Sequence, residues 1–510
     1  MSHLRINDNY LEEQRATLRA RGICVIIPTY NNSDTIVDVV RRAMVQCCDV
    51  IVVCDGCTDN TLERLHAMEQ QPTIIPLKRN QGKGAALREG FRYALDRGFA
   101  YAITLDGDGQ HYPEDISVLL AANEQHPGAL IVGERRDLSK MERSKGSKFA
   151  NAFSNFWFFV QTGQYLRDTQ TGYRLYPLKR LKGLALLTSR YEAELELMVL
   201  ASWHGVKLKS AMVNVYYPPR EERVSHFRPV KDFVRITILN VVLCLLAVVY
   251  GLPLRIFRFV LRLLRSVYSL LFFLVFSMLI MTPLVHIYLL LGKITEKKRY
   301  NLHRILNFAA KFVLIHHRIP GVPYSVHNPH NEDYSKPAVI ICNHQSHLDL
   351  MPLLAQTERM IILTADWVWN NPVYRFTIRN AEFLPASKGV EAILPQLRLL
   401  VERGYSIAIY PEGTRSLDCS CIGRFHKGAF YVAQELGIDI LPLVLYGTGK
   451  ALPKHGRLLN KWPAHLEIDS RISPEQMKNY GDTLQEQASA MRKYYKRRYK
   501  EIANRLEQNV

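Results

Sequence analysis

An aspartate pair set one residue apart, Asp106-Gly107-Asp108, directly follows the apolar run Tyr101–Leu105. Carboxylates so placed at a strand end can surround a hard divalent cation, Mg2+ or Mn2+, which would bridge the two phosphates of a nucleotide-sugar and offset charge on the departing diphosphate. A solvated Asp-Gly turn has the same sequence. Far along the chain, Asn343-His344-Gln345-Ser346-His347-Leu348-Asp349 sets an imidazole just ahead of a carboxylate. With Asp349 accepting from one ring N–H, the other nitrogen of His344 can take a proton from a lipid hydroxyl that attacks an acyl thioester. Helix capping uses residues at this spacing too. In Tyr410-Pro411-Glu412-Gly413-Thr414-Arg415, glycine lets backbone amides approach an oxyanion or phosphate and arginine adds a planar donor fork.

The elements that must position these groups are legible as short runs. Ile23–Pro28 and Val50–Val53 predict strands, separated by an amphipathic helix over Asp34–Val45; Lys83–Leu95 predicts a further helix, and Tyr101–Leu105 a buried strand. In a parallel sheet the ligand site lies beyond the carboxyl ends of the strands, where Asp55, Asp59, Asp106 and Asp108 fall. Ala338–Cys342 and Ser406–Tyr410 likewise predict strands that deliver the His344 and Glu412 motifs into loops. The fold class read here is α/β twice over, with an apolar helical connector between the two parts.

Pro28-Thr29-Tyr30-Asn31, Cys54-Asp55-Gly56-Cys57-Thr58-Asp59-Asn60-Thr61, Asn80-Gln81-Gly82-Lys83-Gly84 and Asp106-Gly107-Asp108-Gly109-Gln110-His111 occur in an order that resembles family 2 glycosyltransferases of the GT-A fold, nearest to the dolichyl- or polyprenyl-phosphate sugar transferases. Asp168-Thr169-Gln170-Thr171-Gly172-Tyr173-Arg174 and Ser225-His226-Phe227-Arg228-Pro229 extend the likeness. The resemblance implies a nucleotide-sugar site of Pro28, Tyr30, Asp55, Lys83, Asp106 and Asp108, with Asp55 at the base and Asp106 and Asp108 holding the metal. Arg174, Arg220, His226 and Arg228 are donors suited to an acceptor phosphate or the pyrophosphate. A lipid phosphate needs no base; a hydroxyl acceptor needs one, with Glu194 or Glu196 as candidates. The chain departs from the family at Cys54, where an Asp commonly stands. Cys54 and Cys57 form a C-x-x-C, but its place inside this motif and the lack of a second ligand pair weigh against zinc or redox chemistry.

The C-terminal motifs N-H-x-S-x-x-D and P-E-G-T-R-S, with Leu441-Pro442-Leu443-Val444 as a later apolar block, resemble the glycerolphosphate and lysophospholipid acyltransferases. The family implies His344 and Asp349 as the catalytic dyad, Glu412 completing the catalytic set, and Gly413, Thr414 and Arg415 at the acceptor. Where that family's second block often ends in Arg, Phe383-Leu384-Pro385-Ala386-Ser387-Lys388 offers Lys388, which keeps the charge and loses the bidentate fork.

Between these halves, Ile236–Leu254 and Val267–Leu291 are each apolar enough, at about 20 residues per bilayer crossing, to span a membrane. Two crossings would strand Arg255, Arg258, Arg262 and Arg265 outside, against the positive-inside bias, so an interfacial helix that dips and returns is the alternative. Lys and Arg total 66 against 47 Asp and Glu, a net charge of +19, and many of the cations flank the apolar middle, where acidic headgroups would lie. No basic-aromatic module for nucleic acid is present in the sequence. The start of the chain lacks an apolar signal core and the nine cysteines form no regular framework, which suits reduced thiols and two cytosolic catalytic halves at the inner membrane. The basic tail Met491–Arg505 predicts a helix, solvated or lying against anionic lipid.

The expectation is therefore three parts: residues 1–232 transferring sugar from a nucleotide-sugar, 233–300 at the membrane, and 301–510 esterifying a lipid or glycolipid from acyl-CoA or acyl carrier protein. The alternative is a lipid-phosphate glycosyltransferase whose C-terminal half only docks on lipid.

Overall fold

The computed structural model describes residues 8–136, 145–216, 229–416 and 422–507. The chain divides into two compact units, Met1–Arg258 with Asn504–Val510, and Phe259–Ala503.

The first unit is built on β1 (Ile23–Thr29), β2 (Val50–Cys54), β3 (Thr73–Pro76), β4 (Tyr101–Thr104), β5 (Leu130–Arg135), β6 (Arg174–Pro177) and β7 (Leu208–Val213), in the sheet order β3-β2-β1-β4-β6-β5-β7. Every residue of β1 is buried, so both of its faces need cover. Alternation supplies it: Val25 and Ile27 pack with Val39 and Val40 of the helix Ile36–Gln46, while Cys24 and Ile26 pack with Ala86 and Leu87 of the helix Lys83–Asp96. β3, β2, β1 and β4 run parallel, with Thr29 level with Cys54, so their carboxyl ends open on one edge. β6 lies antiparallel between β4 and β5.

The second unit holds β8 (Tyr324–His327), β9 (Ala338–Cys342), β10 (Met360–Thr364), β11 (Leu384–Pro385), β12 (Ser406–Ile409), β13 (Asp439–Tyr446) and β14 (Ala464–Ile468), ordered β11-β10-β12-β9-β13-β14-β8. β9 is central and parallel to both β12 and β13. The basic tail is a helix, Leu484–Glu507, with one face in the core and its basic face outward: Met491, Tyr495 and Ile502 are buried, the Tyr495 hydroxyl donates to Ile341 O at 2.8 Å and Arg498 pairs with Asp469 at 2.8 Å, while Lys493, Lys496, Arg497 and Lys500 are exposed.

The apolar middle differs from both expected arrangements. The chain is helical without a turn from Pro229 to Leu290, α-helical segments alternating with π-helical ones at Ala247–Gly251 and Leu274–Met281. Its apolar part, Phe233–Leu290, is 58 residues long, and its most apolar 18-residue window has a mean hydropathy of 2.3 and is largely unburied. Three of the arginines within it bond protein carbonyls. Arg255 donates to Thr162 O and Arg258 to Trp203 O, the last carbonyls of the helices Lys145–Thr162 and Glu192–Trp203, where partial negative charge accumulates. Arg262 reaches Leu458 O at 3.3 Å.

Candidate functional site

In the first unit, Asp106 and Asp108 stand just past β4, and Asp55 just past β2. Pro28 is buried within β1 and Tyr30 follows it, half-buried. The Asp55 carboxylate is spent on the backbone: its oxygens accept from Gln81 N at 2.8 Å and Gly82 N at 2.7 Å, fixing the turn that begins the helix Lys83–Asp96. That helix carries Lys83 inward, its ammonium 2.7 Å from Asp106 Oδ1 and 2.8 Å from Glu194 Oε2. Gly172 closes over this pair, because a Cβ there would lie 2.5 Å from Asp106 Oδ2 and 2.6 Å from Lys83 Nζ.

The electrostatics follow from this packing. Desolvation alone pushes the Lys83 ammonium down, but the charges of Asp106 and Glu194 outweigh it and hold it above its usual range. Asp106 is likewise penalised by desolvation and rescued, chiefly by Lys83, to below the ordinary carboxylate value. Asp108 is rescued less: desolvation, then the charge of Asp106, outweigh the Gln110 amide at 3.0 Å and the charge of Lys83 and raise it to about 6. Beside them the buried His111 is pushed down to about 4 by desolvation, hence neutral, and its Nδ1 has no hydrogen-bond partner among the described residues. Asp108, whose charge is the less offset, Asp106, paired with Lys83, and the unpartnered imidazole nitrogen are the candidate donors for a divalent cation, and no cluster of three or more His, Cys, Asp or Glu arranged to hold a metal is formed among the described residues.

Three expectations are corrected by geometry. Arg174 does not face an acceptor phosphate; it is 1% exposed and donates to Thr169 O, Glu194 O and Tyr176 Oη. Glu196 is no base, since its oxygens accept from Leu187 N, Thr188 N and Thr188 Oγ1 and so tie down the loop before its helix. Glu194 lies in the site but is engaged by Lys83. Arg220, His226 and Arg228 lie outside the described residues.

In the second unit, His344 follows β9 directly, and its Nδ1 is 2.8 Å from Asp349 Oδ2. Asp349 is wholly buried, and the same oxygen accepts from Gln345 N at 2.6 Å and Ser346 N at 2.8 Å. Capping and catalysis are not alternatives here: Ser346 and Asp349 form a capping box on the short helix His347–Asp349, and that box is what aims the carboxylate at the imidazole. Asn343 bonds both ways with Leu445 at 2.8 Å, locking the loop to β13. The ring of Tyr410 stacks on His344 at 4.2 Å between centroids, and the His344 side chain remains partly exposed.

Glu412 is a further correction, from catalytic to positioning. It is 5% exposed and accepts from His344 N at 2.7 Å, Gly423 N at 2.6 Å and Ser416 Oγ at 3.0 Å, so it holds the histidine's backbone rather than meeting substrate. Gly413 (φ +64°) and Thr414 are exposed beside it and Arg415 is half-buried. Lys388 is exposed on the turn after β11 and makes no hydrogen bond or ion pair with the His344 loop. In its place the fold brings Lys454, outside every motif, whose Nζ donates to Thr414 Oγ1 at 3.3 Å and Arg415 O at 2.9 Å. His111 had a sequence signal, its place in the Asp106–His111 run; Lys454 had none.

Comparison with known proteins agrees with this division. Residues 24–176 match glycosyl transferase family 2, and residues 324–446 match the acyltransferase family. The first half is 29% identical over 217 residues to a UDP-N-acetylglucosamine–dolichyl-phosphate N-acetylglucosaminyltransferase of Methanococcus voltae, covering 38% of this chain and 86% of that protein. It is 32% identical over 195 residues to a polyprenol monophosphomannose synthase of Mycolicibacterium smegmatis, covering 34% of this chain and 69% of that one. The second half is 33% identical over 121 residues to a chloroplast 1-acyl-sn-glycerol-3-phosphate acyltransferase of Arabidopsis thaliana, 23% of this chain and only 34% of that protein's length. The chain thus belongs to the family 2 glycosyltransferases through its N-terminal half, and carries in its C-terminal half a transferase domain of the acyltransferase family.

Proposed function

We propose that this chain builds a glycolipid with two chemistries: its first unit moves a sugar from a nucleotide-sugar to a lipid acceptor, and its second moves an acyl group from acyl-CoA or acyl carrier protein to a hydroxyl of a lipid or glycolipid. The observation that carries the reading is the intact His344–Asp349 dyad in a chain that also holds the Asp106, Asp108 and Lys83 cluster. A docking module would have no use for a buried carboxylate aimed at a partly exposed histidine.

In the sugar transfer, Asp106 and Asp108, with His111 beside them, would hold a divalent cation, which would offset charge on the donor diphosphate. Lys83 keeps Asp106 ionised for that task, and Glu194 keeps Lys83 in place. Glu196 is tied down by the loop amides and Glu194 is paired through Oε2 with Lys83, so neither stands as an unengaged base. That favours an acceptor already ionised, a lipid phosphate, over a neutral hydroxyl. In the acyl transfer, Nε2 of His344 takes the hydroxyl proton as the oxygen attacks the thioester carbonyl. Asp349 stabilises the imidazolium, which then protonates the departing thiolate. Gly413, Thr414, Arg415 and Lys454 line the acceptor side. The long apolar helix supports attachment to a membrane, which we assign to the cytoplasmic face of the inner membrane.

Lipid mass spectrometry of cells carrying Asp108→Ala or His344→Ala tests the whole reading. The expected result is a lipid lacking a hexose-sized mass in the first and an acyl-sized mass in the second. Acyl transfer missing from the purified wild type, with sugar transfer present, would leave only the docking reading for the second unit.

A further inference from the structure

The Cys54-Gly-containing turn that the sequence reading set aside turns out to be built around its two sulfurs. Cys54 ends β2 at 2% exposure, and Gly56, at φ +66°, reverses the chain with its N–H on Cys54 O at 2.9 Å. The reversal packs Cys57 back against the buried cluster that includes Cys54, where the two thiols interact, and the Cys57 thiol lies 3.7 Å from Thr29 O. Both are free thiols. They are not equivalent: Cys57 is half-exposed where the loop opens, and Cys54 is sealed beneath it. The interaction with Cys54 lowers Cys57 to about 7, against the effect of burial, and the same interaction raises Cys54. The more accessible sulfur is therefore the one whose thiolate is favoured, and the buried one is its protonated neighbour.

What lies between them gives the pair a consequence. Asp55 holds the amides of Gln81 and Gly82, and through that turn the start of the helix that delivers Lys83 to Asp106. Unbonded thiols are separated by well over the roughly 2.0 Å of a disulfide, so bonding them draws the turn in by an ångström or more. Asp55 sits on the segment that must shift.

We propose that Cys54 and Cys57 are a thiol–disulfide modification site whose closure by a small disulfide of the glutathione class disables the first unit by displacing Asp55. The Cys57 thiolate attacks one sulfur of the small disulfide, expelling one thiolate and forming a mixed disulfide. Cys54 gives its proton to solvent and attacks the Cys57 sulfur, closing the protein disulfide and releasing the second thiolate. Two protein thiols are oxidised and one small disulfide is reduced to two thiols. In a reducing compartment the pair stays open, so the site reports oxidising conditions. The effect on sugar transfer rests on the proposed function, whereas the modification itself does not.

The test uses the full chain carrying Cys48→Ser, Cys419→Ser and Cys421→Ser, so that neither of the other close cysteine pairs in the sequence, Cys47-Cys48 and Cys419-Cys421, can respond. Treatment with oxidised glutathione is expected to remove two hydrogens from the Cys54–Cys57 peptide by mass spectrometry. It should lower sugar transfer by about tenfold to a hundredfold, the scale of an ångström-sized misplacement, leave acyl transfer in the same sample unchanged, and reverse with dithiothreitol. Added UDP should slow closure by covering the loop, and Cys57→Ser should abolish both the mass change and the oxidant response. No loss of two hydrogens would overturn the site, and full closure with unaltered sugar transfer would overturn its effect. If the reduced protein transferred no sugar at all, the functional reading would fall while the mass change still decided the site.

Discussion

The two catalytic regions of this chain handle charge in opposite ways. Beyond β4, the first unit gathers Lys83, Asp106, Asp108, Glu194 and Arg174 into one largely enclosed cluster, pairing all but Asp108. Beyond β9, the second unit holds two buried carboxylates, Asp349 and Glu412, and engages them with backbone amides, a hydroxyl and an imidazole, all of Asp349's bonds falling on Oδ2 while its Oδ1 has no partner among the described residues. A cluster of the first kind is poised to take in positive charge with its ligand. A lattice of the second kind is already largely engaged, so its chemistry resides in one ring nitrogen.

That contrast predicts where single substitutions bite hardest. His344→Ala removes the only group of its site that moves a proton, and acyl transfer should fall by about a thousandfold, within the usual span for a general base. Sugar transfer, assayed in the same preparation, should stay within about twofold of wild type. Asp108→Ala removes the carboxylate whose charge is the less offset, and sugar transfer should drop by on the order of a hundredfold. Acyl transfer should be spared; a fall in both activities would mean the substitution had unfolded the chain, which circular dichroism would reveal.

The contrast was only half legible in the sequence. Runs such as Ile23–Pro28, Ala338–Cys342 and Tyr101–Leu105 marked buried strands because both faces must be apolar, and motif order gave the neighbourhood of each site. Direction was not legible. Arg174 and Glu412 sit in the right loops yet point inward, because a side chain's bonds depend on carbonyls and amides supplied from elsewhere in the fold. The arginines of the central helix suggested headgroups for the same reason, since the helix ends they cap lie far away in sequence. Lys454 reached its place through the turn after β13, and no local pattern announces that.

Glu412 sharpens the comparison from the positioning side. In Glu412→Gln the amide must turn an N–H toward one of the donors at His344 N, Gly423 N and Ser416 Oγ, leaving at least one buried donor unmet. The expected loss is about 1–3 kcal/mol of stability in the second unit, read from urea unfolding, with acyl transfer reduced by about tenfold. A residue acting on substrate would instead lose activity with stability intact.

The first unit should show its less offset charge as a pH effect. Asp108 is raised to about 6 in the folded chain against about 3.9 unfolded. Between those values the native state binds more protons than the unfolded one, so stability falls as pH rises from about 4 to about 6 and then levels. Mn2+ or Mg2+ competes with that proton, so its stabilisation of the melting transition should grow over the same interval. In Asp108→Asn both trends should vanish. Removal of divalent ions by a chelator should lower the melting temperature of the wild type above pH 6 and leave that of the variant unchanged.

The smallest effect is expected at Lys454, and it probes how the second site obtains positive charge without an ion. Its ammonium is fixed by Thr414 Oγ1 and Arg415 O beside the exposed Gly413 and Thr414. It thus occupies the position that Lys388, on the turn after β11, leaves unfilled. A half-exposed cation in water contributes about 0.5–1 kcal/mol to an anionic contact, so Lys454→Met should raise KM for a phosphate-bearing acceptor by about two- to fivefold with kcat nearly unchanged. Lys388→Met should do less. For a neutral glycolipid acceptor neither substitution should alter KM, so the pair of variants reports the charge of the molecule that His344 deprotonates.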